Sequence, residues 1–87
     1  MTELVSLITY RTLAMLRAVA AGRAEIACSC EPDLFVDGLP CCDQMAAHAL
    51  IHAGLVRQSR PGLVGSRVPA VLTPAGYAAL RTQPEAA

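Results

Sequence analysis

The stretch from Leu55 to Leu72 lies between a helix stop and a helix start, which leaves it little choice of structure. In Ala53-Gly54-Leu55, the glycine can take the left-handed conformation that ends a helix, and the following leucine folds back onto it. In Thr73-Pro74, the threonine can cap a new helix whose first position suits proline. Between them, Leu55 to Ser59 and Arg67 to Leu72 are apolar enough for strands. Arg60-Pro61-Gly62-Leu63-Val64-Gly65-Ser66 separates them with two glycines and a proline, so the sequence predicts a β-hairpin with a loose tip. Pro69 has no N–H to give to a ladder, which predicts an edge position for the second strand. A hairpin held between two helices makes the fold class α+β.

The remainder of the chain completes one small domain. Residues 3 to 21 carry a helical pattern in which Val5, Ile8, Thr12, Met15, Leu16 and Val19 share one stripe, with Tyr10 and Arg17 opposite. Thr2 suits the cap, Glu3 the first turn and Gly22 the stop. Leu4, Leu7 and Leu13 fall outside the stripe, toward other elements or a second chain. Ile26, Cys28 and Cys30 alternate as on a strand, Glu31-Pro32-Asp33 has turn chemistry, and Leu34-Phe35-Val36 is either a returning strand, the favoured reading, or one turn of helix, before a second turn at Asp37-Gly38. Residues 40 to 53 form the second clear helix, with Pro40 at its first position. Its apolar side is Cys42, Met45, Ala46, Ala49, Leu50 and Ala53, and its other side is Cys41, Gln44, Ala47, His48, Ile51 and His52. A final helix runs from Pro74 through Tyr77 and Leu80. Residues 1–82 make a single domain and 83–87 a flexible tail. With no Trp, one Phe and two Tyr, the core must be aliphatic.

Read together, a helix, a short hairpin, a recognition-like helix ending in Ala53-Gly54-Leu55-Val56-Arg57, a hairpin and Leu72-Thr73-Pro74-Ala75-Gly76-Tyr77 resemble winged helix-turn-helix proteins. The resemblance is strongest to MarR-like and PadR-like regulators and covers about residues 40–81. In those families a helix ending in Gly-Leu-Val precedes a β-wing, and Leu-Thr-x-x-Gly opens the next helix. The resemblance implies a small winged-helix domain that binds double-stranded DNA as a transcriptional regulator and homodimer, with no cofactor. The helix 40–53 would take the recognition role and 56–72 the wing. One departure is plain: where family members place a complete helix before the recognition helix, this chain has Cys28 to Gly38.

Charge placement gives that expectation its residues. Residues 24–54 contain Glu25, Glu31, Asp33, Asp37 and Asp43 and no arginine, whereas residues 55–81 contain Arg57, Arg60, Arg67 and Arg81 and no acid. Phosphate contacts supply much of DNA affinity and need cations. Arg57, Arg60 and Arg67 on or beside the wing are the candidates for the backbone. Gln44 and His48 are the candidates for base edges, since glutamine suits adenine. Zero net charge, the acidic middle and an apolar patch at Ala47 and Ile51 point to an alternative, a protein-interaction module on the same scaffold.

The four cysteines, Cys28, Cys30, Cys41 and Cys42, open a further alternative, a metal- or redox-sensing variant. Four thiolates suit tetrahedral zinc, but the spacing is not a standard one, and buried cysteine behaves as a small hydrophobe. The expectation is packing, with no metal. His48 and His52 are four apart on one helical face, yet residue 49 is alanine, so no HExxH motif exists. No phosphate loop and no nucleophile with its base marks an enzyme. No signal peptide or membrane span is evident, which predicts a cytoplasmic location.

Overall fold

A computed structural model of the chain describes residues 10–82. The elements in chain order are α1 (Tyr10–Ala20), β1 (Ala24–Ala27), β2 (Leu34–Val36), β3 (Leu39–Pro40), α2 (Gln44–His52), β4 (Val56–Gln58), β5 (Arg67–Leu72) and α3 (Pro74–Thr82). The strands form one antiparallel sheet in the order β3-β2-β1-β5-β4. The fold is therefore a small α+β domain. The expectations placed on Thr2, Glu3, Leu4, Val5, Leu7, Ile8 and the tail 83–87 lie outside the described residues.

The helices share a single core with one face of the sheet. Period-two alternation in β5 buries Val68, Ala70 and Leu72 and turns Arg67, Pro69 and Val71 to the other side. Ile26, Leu34 and Val56 face the same core as Leu16 of α1, Leu50 of α2 and Ala79 of α3. Leu13 is buried too, so α1 presents a broader apolar face than its stripe suggests and keeps only Tyr10, Arg11, Ala14, Arg17 and Ala20 exposed. Burying an aliphatic side chain of this kind stabilises by about 2 kcal/mol, so a core without large aromatic rings must rest on many such contacts.

Two helix ends close as their sequences predict. Gly22 (φ +79°) and Gly54 (φ +80°) take left-handed conformations. The amides of Arg23 and Leu55 reach back to Ala18 O and Leu50 O, both at 3.0 Å, and Gly22 and Gly54 donate to Val19 O and Ile51 O. These are paired Schellman bonds.

The segment before α2 differs from expectation in two respects. Asp37 (φ +54°) and Gly38 (φ +82°) both have positive φ, as a type I′ turn requires, so the chain continues into a third strand. Pro40 stands in that strand opposite Phe35 and does not open the helix. On the outermost strand its missing N–H leaves no ladder bond unmade. The helix opens later, where Asp43 Oδ1 accepts from Ala46 N at 3.0 Å. Cys30 is exposed and lies beyond β1, which ends at Ala27.

Pro69 corrects another expectation. Its strand, β5, lies between β1 and β4 and is not an edge. Pro69 is opposite Glu25, and its carbonyl accepts from Ser59 N at 2.9 Å, just past Gln58, the end of β4. The proline nitrogen therefore faces the side where β4 has run out. Gly76 fixes α3 against the start of β4, because a Cβ there would come within 2.1 Å of Leu55 O. Thr73 Oγ1 accepts from Gly76 N at 3.0 Å and donates to Gly54 O, tying the cap of α3 to the stop of α2.

Candidate nucleic-acid interface

The three arginines on or beside the β4–β5 hairpin do not share one environment. Arg57 lies directly opposite Val71, and Arg67 lies four residues before Val71 on the same strand. Both side chains therefore project from the sheet face away from the helices, on the order of 13 Å apart along the strand. Arg57 is exposed and donates only to the neighbouring Gln58 O, at 3.0 Å. Arg60 is exposed and has neither a hydrogen-bond nor an ion-pair partner among the described residues. Arg67 is partly committed, with its guanidinium carbon 4.4 Å from the centre of the Phe35 ring and Nη1 4.0 Å from Glu25 Oε1. Nη1 also donates to Gly38 O at 3.5 Å, and the stacked side chain stays 43% exposed.

Gln44 and His48 are placed otherwise than the sequence predicts. Gln44 turns toward β2, donating from Nε2 to Leu34 O (2.9 Å) and Cys41 O (2.8 Å), while its Oε1 accepts from Leu34 N (2.9 Å). The amide thus completes both backbone groups of a residue whose side chain is in the core. His48 Nε2 lies 2.9 Å from Asp33 Oδ1 and its Nδ1 3.7 Å from Glu31 Oε1, so the ring bridges α2 to the turn before β2. Neither side chain is held out for a base edge. Ala47 is 1% exposed and Ile51 packs against the core, so the apolar surface expected there does not exist. The helix is rotated from its expected phase, and Met45, assigned to the apolar side, is 83% exposed.

The remaining charges form a frame around this arrangement. Arg11 bonds Asp43, and Arg23 bonds Asp37, each at 2.8 Å. The Arg11 guanidinium hydrogen bond, followed by the Ala46 amide, holds the Asp43 carboxyl below its ordinary range. The same bond and the same charge raise Arg11. A cleft of about 330 Å³ lies between α1 and the β2–β3 hairpin, lined in part by Met15, Val36, Cys41 and Cys42, with both of these tied arginines also in its wall. Cys28 is buried apart from these thiols in its own setting, against Ser66 and close beneath Gly62. No group of three or more His, Cys, Asp or Glu side chains is placed to hold a metal ion among the described residues. Nor is any helix among them long and apolar enough to cross a membrane.

The tip of the β4–β5 hairpin is a built turn where the sequence predicts looseness. Ser66 N and Oγ both donate to Leu63 O, at 2.9 and 2.7 Å, and Gly65 sits between them at φ +90°. The turn is pinned to the end of β1 by Gly65 N to Cys28 O (2.9 Å) and Cys28 N to Ser66 O (2.8 Å). Leu63 and Val64 are thereby held 83% and 89% exposed. The signal that could have found them is the Leu-Val-Gly-Ser order itself, with glycine at the third turn position. Comparison of the chain with models of protein families, with curated proteins and with solved structures returns no match.

Proposed function

We propose that the protein is a small winged-helix DNA-binding domain that contacts the duplex chiefly through its β4–β5 wing and acts as a transcriptional regulator, as a homodimer. The observation that carries this reading is the hairpin itself. Arg57 and Arg60 stand on it with no carboxylate partner among the described residues, Arg67 stands farther along it, stacked on Phe35 and 4.0 Å from Glu25, and no acid occurs from Gln44 to Thr82. The sheet order also supports it, since β1 pairs with β5 and β5 with β4 between α2 and α3, the arrangement a wing needs. On this reading, the β2–β3 hairpin stands where winged-helix proteins have a helix before the recognition helix. Gln44 and His48 then position α2 and do not read bases, so binding rests on phosphates and is weakly sequence-selective. Binding of a mixed-sequence duplex should weaken steeply with salt, and replacing Arg57 and Arg60 with alanine should flatten that slope by about one unit each. Absence of salt-sensitive binding at low ionic strength would remove this reading.

One observation favours a second reading, a protein-interaction module on the same scaffold. The outward side of α2 shows the exposed Met45 and no arginine. A single protein partner retained after nuclease treatment and lost in Met45→Glu would support it.

A further inference from the structure

We propose that Leu63 and Val64 form an apolar wedge that enters the minor groove and unstacks a base step, so that the wing bends the duplex it binds. This inference rests on the DNA-binding reading above and goes beyond it. Large apolar side chains exposed at a hairpin tip are costly to keep in water, and here the backbone is organised to keep them there. Two bonds to Leu63 O close the turn, two more pin it to β1, and Gly65 supplies the positive φ the turn needs. Gly62 packs so tightly over Cys28 and Val68 that a Cβ would meet their side chains at 2.8 and 3.0 Å, which fixes the approach to the tip. The side chains are therefore presented already ordered, and little conformational entropy remains to be lost on insertion.

The surroundings select the occupant. Arg60 stands three residues before the pair without a partner among the described residues, and Arg67, stacked on Phe35 and 4.0 Å from Glu25, stands three residues after it; neither β4 nor β5 carries an acid. The surface is thus a small apolar point with one arginine behind it on each side of the hairpin, complementary to a polyanion with an apolar interior close beneath its charges. Stacked bases between phosphates meet that description, and one or two side chains of this size suffice to wedge a base step. An anionic membrane fits less well. Leu63 and Val64 together carry about half the carbons of one myristoyl chain, which by itself gives only marginal membrane binding.

The test uses the full chain and a duplex of about 25 base pairs rich in flexible TA and CA steps, with a fluorophore at each end. The wild-type protein should bind with a salt-dependent affinity and bring the ends closer. Leu63→Ser/Val64→Ser should leave the thermal melt unchanged, bind about tenfold more weakly, keep the salt slope and lose the shortening. Salt-dependent binding with no shortening, or shortening equal in the double variant, overturns the wedge and leaves the DNA-binding reading standing. No duplex binding overturns both. Binding to phosphatidylserine vesicles that the double variant loses, with the duplex ignored, would assign the tip to a membrane and also overturns both.

Discussion

On the β2–β3 side of the sheet, Arg23 bonds Asp37, His48 bridges to Asp33, and Gln44 closes on both backbone groups of Leu34. On the β4–β5 side, Arg57 and Arg60 reach no carboxylate among the described residues, and the structure is secured by other means. There the locks are mostly backbone contacts, Ser59 N to Pro69 O, Thr73 N to Leu55 O and Gly76 packed under Leu55 O, with the hydroxyls of Ser66 and Thr73 added. One flank uses its polar side chains to hold itself together. The other leaves Arg57 and Arg60 at the surface, and it can do so because backbone contacts and the short hydroxyls of Ser66 and Thr73 secure it. The contrast separates residues that position the fold from residues available to a partner, which residue type alone does not.

The largest effect should come from the backbone lock. Gly76→Ala puts a methyl group into Leu55 O, a clash that no side-chain rotation can relieve, and should cost about 3 kcal/mol or more in urea unfolding. Gly22→Ala has open space and a positive φ, so it should cost only about 1 kcal/mol, the ordinary left-handed strain. Equal losses at the two sites would mean that the hairpin flank is not held by this contact.

Gln44→Ala comes next. It strips the partners from Leu34 N and O and should destabilise by about 2 kcal/mol while leaving duplex affinity of the folded protein unchanged. The reverse outcome, full stability with weakened duplex binding, would break the contrast by moving Gln44 to the partner-facing set.

The smallest effect is a pH dependence from Asp43. Its carboxyl titrates below its ordinary value of 3.8 when folded, so its ion pair stabilises above the unfolded value and is lost as pH falls through the folded one. Asp43→Asn keeps an oxygen for Ala46 N but cannot pair with Arg11. The gap between the two melting temperatures should be constant above about pH 5 and close as the pH drops below the ordinary carboxylate range. A gap independent of pH would show that the Arg11 pair adds nothing to holding that flank.

How much of this was legible in the sequence depended on whether the signal was local. Gly22, Gly54 and Thr73 act through residues within a turn of themselves, and their roles follow from spacing. β5 was recognisable over its full length because six alternating residues sit between a turn and a cap. The start of α2 was not, since Pro40 is as good a first helical residue as Asp43 is a cap, and only the pairing of Leu39 with Val36 decides between them. The four-residue shift in the starting point, in a segment of alanines with little polar contrast, also rotated the expected apolar face. Gln44 and His48 look solvent-facing because their partners, Leu34 and Asp33, lie ten and fifteen residues away. The cations of the β4–β5 hairpin were legible as charge, but whether each was paired was not, because Phe35 and Glu25 approach Arg67 from other strands.

The sheet margins carry a consequence for assembly. β3 is two residues long and ends in proline, and β4 is three residues long and gives way at Ser59 to a bend before Pro61. Neither rim offers a run of free amides and carbonyls long enough to recruit another chain's strand. Among the described residues, then, two copies that associate would meet through side-chain surfaces, and the continuous intermolecular ladders that seed fibrils find no template at either border.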